Sequence, residues 1–206
     1  MKILLMILTL VLASLLASCS SKIEDYAGTT PALELDEFFR GELVAFGMVQ
    51  DRSGRVLRRF KVDMVASWKD NQGILEENFV YDDGERQRRT WRLEKHADGR
   101  YTGTAGDVVI PAEGRTRGYA LNWRYTLAVP VDGRVWNIDF NDWMYLLDED
   151  RLINRAEMTK WGFNVGEVTL WIERKSDRND SLIPQKSGVE ISSSEREKLG
   201  TNTSRK

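Results

Sequence analysis

Between Gly41 and Lys175 apolar and polar positions alternate with a period of two over long stretches. Phe60, Val62, Met64, Ala66 and Trp68 alternate with Lys61, Asp63, Val65 and Ser67, and Trp136, Ile138 and Phe140 alternate with Asn137 and Asp139. Tyr119, Leu121, Trp123, Tyr125, Leu127 and Val129 form a third such row. A period of two gives each segment one buried and one wet face, as in antiparallel strands. Turn signals separate the segments: Asp70-Asn71-Gln72-Gly73, Asp82-Asp83-Gly84, Ala97-Asp98-Gly99 and Asp132-Gly133. Pro111 and Pro130 are expected at strand ends, where a missing donor is tolerated.

The pattern predicts about nine strands, near 42–49, 55–68, 74–81, 86–95, 100–110, 118–129, 134–147, 151–160 and 166–174. No amphipathic segment between them is long enough for a parallel crossover helix. An all-β, antiparallel up-and-down meander of eight or nine strands removes its exposed edges by closing into a barrel able to hold one small ligand. A two-sheet sandwich is the alternative. Leu35, Phe38 and Phe39 mark a short helical plug before the first strand. A membrane-spanning barrel also alternates, but the chain carries another membrane signal and closes on a polar tail rather than a strand.

That signal is at the start. Lys2 precedes an apolar run from Ile3 to Leu12, too short to span a bilayer as a mature helix, and Leu16-Ala17-Ser18-Cys19 follows. This is the pattern of a bacterial lipobox, in which small residues admit the peptidase and the cysteine is acylated. Residues 1–18 are therefore expected to be a lipoprotein signal peptide and Cys19 the lipidation site, giving a membrane partner through a lipid anchor. The remaining 206 − 18 = 188 residues suit one domain with tails. Residues 19–32 read as a flexible tether of roughly 20 Å, residues 33–175 as the barrel domain, and residues 176–206 as a disordered polar tail.

Composition narrows the chemistry. Thirty basic and 32 acidic residues are interspersed at a formal net charge of −2, which offers no footprint for nucleic acid. Arg86, Arg88, Arg89 and Arg92, flanked by Glu85 and Glu94, read as a solvated strand face. The single Cys excludes an internal disulfide, and the lone His96 has no second His for a metal site. No catalytic motif is visible, and neither a cofactor nor an enzymatic activity is expected. Gly103-Thr104-Ala105-Gly106-Asp107 lacks the Lys and helix of a phosphate loop and reads as a kinked strand or turn.

Seven Trp, all between Trp68 and Trp171, are a heavy aromatic load for one domain. Trp91, Trp123, Tyr125 and Trp136 are candidates to line a cavity for an acyl chain or a flat apolar ligand; packing alone is the alternative. Asp142 breaks the apolar row of Trp136, Ile138 and Phe140, so either an acid points inward or a bulge swaps faces. An inward carboxylate needs a partner, such as Arg124 or Arg155, or a shifted pKa. Asp139, Asp142 and Glu157 are the acids to compare for a glycosidase-like pair. Trp161, Phe163 and Trp171, near the last hairpin, are candidates for contact with an envelope protein.

Several motifs carry a resemblance. They are Phe38-Phe39-Arg40-Gly41, Ala45-Phe46-Gly47, Asp51-Arg52-Ser53-Gly54-Arg55, Gly103 to Asp107, Ala120-Leu121-Asn122-Trp123-Arg124-Tyr125, Asn141-Asp142-Trp143-Met144 and Asn164-Val165-Gly166-Glu167. Together with the lipobox, they resemble a family of uncharacterised proteobacterial lipoproteins with a domain of unknown function, over about residues 33–174. That family brings location and architecture but no activity. The short plug followed by Gly41 is also similar to the calycins, which include the lipocalins, although Leu43 stands where lipocalins usually have Trp. In similar lipoproteins of diderm bacteria, a residue other than Asp at the position of Ser20 permits transfer to the outer membrane. The expected function is a membrane-anchored periplasmic lipoprotein, in the outer membrane facing the periplasm, whose barrel binds a hydrophobic or amphiphilic, lipid-like ligand. The alternative is a non-catalytic assembly lipoprotein that contacts an envelope partner.

Overall fold

The computed structural model describes residues 21–131 and 133–175. The leader, the expected lipidation at Cys19 and the tail over residues 176–206 lie outside them. Ten strands follow one another: β1 (Gly41–Asp51), β2 (Val56–Lys69), β3 (Gln72–Tyr81), β4 (Arg86–Lys95), β5 (Arg100–Thr104), β6 (Val108–Arg117), β7 (Ala120–Val131), β8 (Arg134–Leu146), β9 (Arg151–Lys160) and β10 (Phe163–Arg174). Each pairs with the next, and β10 returns to pair with β1, closing an antiparallel up-and-down barrel. The seam runs from Leu43 opposite Arg174 to Asp51 opposite Gly166.

The strand count rises from nine to ten because the segment expected at 100–110 divides. Ala105 to Asp107 turn the chain, β5 ends before them and β6 begins after them. β6 was hard to read because its pattern is weak: only Ala112 and Thr116 are buried, and its pairing with β7 slips twice between Val108 and Glu113. Pro111, expected at a strand end, sits inside that irregular stretch, where no regular ladder bond is required of it.

The period of two sends apolar residues inward, and the outer wall stays wet. On β4, Trp91 and Leu93 are buried while Arg86, Arg88, Thr90, Arg92 and Glu94 are exposed. A barrel whose outer face meets hydrocarbon shows the reverse arrangement. No helix among the described residues is long and apolar enough to cross a membrane.

One end of the barrel is sealed. The single-turn helix α1 (Leu35–Phe38) and its neighbours Leu33 and Phe39 bury their apolar side chains there. Four residues cannot hold a helix by propensity alone, and tertiary contacts do so instead. Trp68 Nε1 donates to the Phe39 carbonyl at 2.9 Å, and Leu33 N–H donates to Gly118 O at 2.8 Å. Lys95 Nζ reaches Glu34 at 3.0 Å and Asp36 at 2.8 Å, and the Tyr101 hydroxyl donates to the same two carboxylates.

Part of the stretch expected to be a flexible tether differs from that expectation. Ile23–Tyr26 form a 3₁₀ turn, and the Tyr26 ring lies 5.5 Å from Tyr119, 5.8 Å from Trp143 and 5.7 Å from Tyr145 on the outer wall. Those aromatic edges give a small polar segment something apolar to bind. The opposite end, bounded by the turns at 52–55, 82–85, 105–107 and 161–162, has no plug among the described residues, and is called the mouth below.

Candidate functional site: a polar layer inside an aromatic barrel

Inside the barrel wall, Trp91 of β4 meets Trp123 and Tyr125 of β7 edge-on, at ring separations of 6.2 and 5.4 Å. Tyr125 stacks flat on Phe140 of β8 at 5.1 Å. Trp123 fits because two strands yield room to it: a Cβ on Gly103 would lie 2.9 Å from the indole, and one on Gly114 2.6 Å from it.

Asp142 enters this cluster from β8. The β7–β8 ladder runs without a register shift and pairs Trp123 with Asp142, so no bulge swaps faces and the carboxylate points inward. It is only 5% exposed. Its Oδ2 accepts a 3.1 Å hydrogen bond from the Tyr125 hydroxyl. Oδ1 has no hydrogen-bond partner, and the nearby Asn154 Nδ2 reaches no acceptor in bonding geometry. Burial pushes the carboxyl up from 3.8 to about 7, against the opposing pull of the Tyr125 hydroxyl, the Asn154 amide and the Arg89 charge. The same burial, with Asp142 beside it, holds the Tyr125 phenol well above its ordinary value.

The expected partners of Asp142 are elsewhere. Arg124 is exposed and donates to Asn141, and Arg155 pairs with Glu167 at 2.6 Å. A cation does face this part of the interior: Arg89, which the reading of Arg86, Arg88, Arg89 and Arg92 as a solvated face does not anticipate. Its position on β4 shares parity with Trp91 and Leu93, and that parity turns it inward while Arg86, Arg88 and Arg92 stay exposed. Its Nε and Nη2 grip Asp107 at 2.9 and 2.8 Å, and Nη1 lies 3.6 Å from Glu77 Oε2. Burial works against the Arg89 charge, but Glu77 and Asp107 more than offset it, and the guanidinium stays firmly charged. Burial likewise raises Glu77, whose Oε2 has no hydrogen-bond partner.

The result is a layer of Glu77, Arg89, Asp107, Tyr125 and Asp142 across an otherwise aromatic interior. Leaving a buried polar atom unbonded costs about 1–3 kcal/mol. Such atoms are sites where a guest with hydrogen-bonding groups gains most.

Of the five candidate ligand-lining residues, the structure brings Trp91, Trp123, Tyr125 and Asp142 together and leaves Trp136 out. Trp136 is half-buried nearer the mouth, with Lys160 Nζ 3.1 Å above its ring and Trp161 6.1 Å away. The acids compared for a glycosidase-like pair are split by the wall. Asp139 takes a 2.7 Å bond from Thr126 and Glu157 one from Asn164, both beside an open outer groove of about 400 Å³, while Asp142 is inside. His96 bonds Thr102 at 2.9 Å. Among the described residues, no group of three or more His, Cys, Asp or Glu is placed to hold a metal ion.

A family model described as "Protein of unknown function (DUF3833)" matches residues 13–174. The chain belongs to this DUF3833 family. No curated protein matches it. The barrel is lipocalin-like, and among solved structures it is similar to the S-type phycobiliprotein lyase CPES from Guillardia theta. That similarity has a TM-score of 0.54 at 9% identity, over 71% of this chain and 95% of the lyase. A second structure, EF1p2_mFAP2b bound to DFHBI, aligns over 69% of this chain and all of its own, with 9% identity and a TM-score of 0.39. At 9% identity, the likeness to the lyase establishes a common fold for this DUF3833 member and no activity.

Proposed function

We propose that this DUF3833 protein is a lipid-anchored carrier or receptor, tied through Cys19 to the outer membrane on its periplasmic side, and that its barrel binds a lipid-like amphiphile. The observation that supports this reading best is the buried Asp142 Oδ1, which has no hydrogen-bond partner among the described residues, within an aromatic interior. The apolar part of a guest would lie against Trp91, Trp123 and Phe140, and its polar end would bond Asp142, Glu77 or Tyr125. The absence of any visible catalytic motif favours carriage over chemistry. The leader and lipobox in the sequence support the anchor.

Lipid extraction of the purified protein followed by mass spectrometry tests the ligand, and a specific amphiphile at near one-to-one stoichiometry is the expected result. Protein that is reproducibly free of lipid and also fails to bind fluorescent fatty acids would overturn the reading. The anchor has its own test. Labelled palmitate should enter the wild-type chain in cells, and Cys19→Ser should abolish the label and release processing from the lipoprotein pathway. Equal labelling of both chains would refute the anchor.

A further inference from the structure

The turn between β9 and β10 does something that folding does not require. Trp161 and Gly162 both take positive φ, at 52° and 81°, the backbone of a type I′ hairpin turn. Asn and Asp suit the first position, whereas a bulky side chain there costs about 1 kcal/mol. Burial returns little in compensation, because Trp161 is 81% exposed and its ring meets only Trp136 and Lys160 among the ring contacts of the described residues. Phe163, directly across the hairpin from Lys160, is 74% exposed, and Val135 on the neighbouring β8 is 70% exposed. Val165 and Val131 continue the same rim.

Two basic residues stand on this side of the mouth. Lys160 Nζ lies over Trp136 and 4.7 Å from the Trp161 ring centroid. Arg52 stands with Asp51, Ser53, Phe163, Asn164 and Val165 around an open groove of about 470 Å³. The carboxylates named here are already engaged. Asp51 is held by Arg55 and Ser53, and on the far side of the mouth Asp82, Asp83 and Glu85 are held by Arg59 and Arg58. Neither Lys160 nor Arg52 has an ion pair with a described residue.

Exposed Trp and Phe at a hairpin turn, bordered by Val and by cations that have no ion pair with a described residue, match the headgroup region of a bilayer in both polarity and charge. We propose that the Lys160–Phe163 hairpin docks the mouth of the barrel onto a bilayer surface bearing anionic headgroups, with Trp161 and Phe163 entering the interface. Docking there sets the interior against lipid, so an amphiphile reaches the polar layer without crossing water. In that respect the inference deepens the carrier reading, but the docking itself is measured separately.

The test uses the chain from Ser20 to Lys206, which keeps every residue of the barrel and lacks the acylated cysteine. It is floated with vesicles of phosphatidylcholine alone and with vesicles that also contain phosphatidylglycerol. Partition should rise severalfold with phosphatidylglycerol. The double variant Trp161→Ala, Phe163→Ala should lose it by about tenfold or more. Lys160→Gln should weaken only the phosphatidylglycerol-dependent part, by about fivefold. The double variant should melt like the parent, since Trp161 and Phe163 are solvent-exposed, and Lys160→Gln should lose only its contacts with the Trp136 and Trp161 rings. Partition that is absent, or that is unchanged in the double variant, overturns the proposal. So does concentration-dependent dimerisation that the double variant abolishes without any change in flotation, which would assign the rim to a second copy. Photocrosslinking from position 161 in intact cells that yields one protein adduct and no lipid adduct would assign it to an envelope protein. Fatty-acid binding by the parent chain separates the two readings: binding without flotation overturns the docking alone, and flotation without binding overturns the carrier reading alone.

Discussion

The two ends of the barrel are built on opposite terms. At the plugged end, Leu33, Leu35, Phe38 and Phe39 are buried, and the carboxylates of Glu34 and Asp36 are matched by Lys95 and Tyr101. At the mouth, Val135, Trp161 and Phe163 face solvent, and between the two ends the interior keeps polar atoms without partners. A chain that can seal one end so completely has the residues to seal the other. The difference teaches that stability is concentrated where α1 closes the barrel, and that the mouth and the polar layer trade stability for access.

Removing the plug should have the largest effect. Phe38→Ala deletes a ring that is 3% exposed and should cost about 3–5 kcal/mol, measured by urea denaturation. A loss below about 1 kcal/mol would mean that the plug is loose and the two ends are alike. Next is Arg89→Gln, which strands Glu77 and Asp107 without their cation. Breaking a buried pair in this way costs about 3–5 kcal/mol, reduced here by the partial exposure of Asp107.

The polar layer also has a pH signature. The Asp142 carboxyl titrates near 7 in the folded chain and near 3.8 once unfolded, so the folded state holds its proton longer. Its contribution is fully present below about pH 4 and is lost as pH rises towards 7. Asp142→Asn should flatten that decline and leave the variant more stable than the parent above pH 7, by about 4 kcal/mol at most. Parallel pH–stability curves for the two proteins would remove Asp142 from the buried layer. The smallest effect is a gain at the mouth. Trp161→Asn puts a residue tolerant of positive φ into the turn and should raise stability by up to about 1 kcal/mol. A substitution that destabilises at the plug and one that stabilises at the rim would together confirm the asymmetry.

Much of this was legible in the residues. Alternation located the strands, the turn residues ordered them, and Leu35 to Phe39 announced the plug. The inward acid was legible too, because Asp142 shares parity with Ile138 and Phe140. The same rule would have turned Glu77 inward with Leu75 and Phe79, and Arg89 inward with Trp91 and Leu93. Arg89 was missed because its neighbours Arg86, Arg88 and Arg92 made it look like one of a set. Other features depend on distant pairings that no local pattern encodes. Asp107 reaches Arg89 only because β5 and β6 turn at the mouth, and Trp136 is separated from Trp91 by its height along the barrel rather than by parity. β6 was hidden because its bulged half alternates poorly.

The β1–β10 seam bears on how such a chain must be made. The first strand to be synthesised waits for the last, so the ring cannot close until residues 163–174 have arrived. Until then, β1 and whichever strand is newest present open ladders of backbone donors and acceptors, ready to zip onto a neighbouring molecule. Closure over so long a sequence separation is slow compared with forming the local hairpins. A truncation within β10 therefore converts a self-contained ring into two sticky borders, and the expected outcome is insoluble protein rather than a slightly weaker fold.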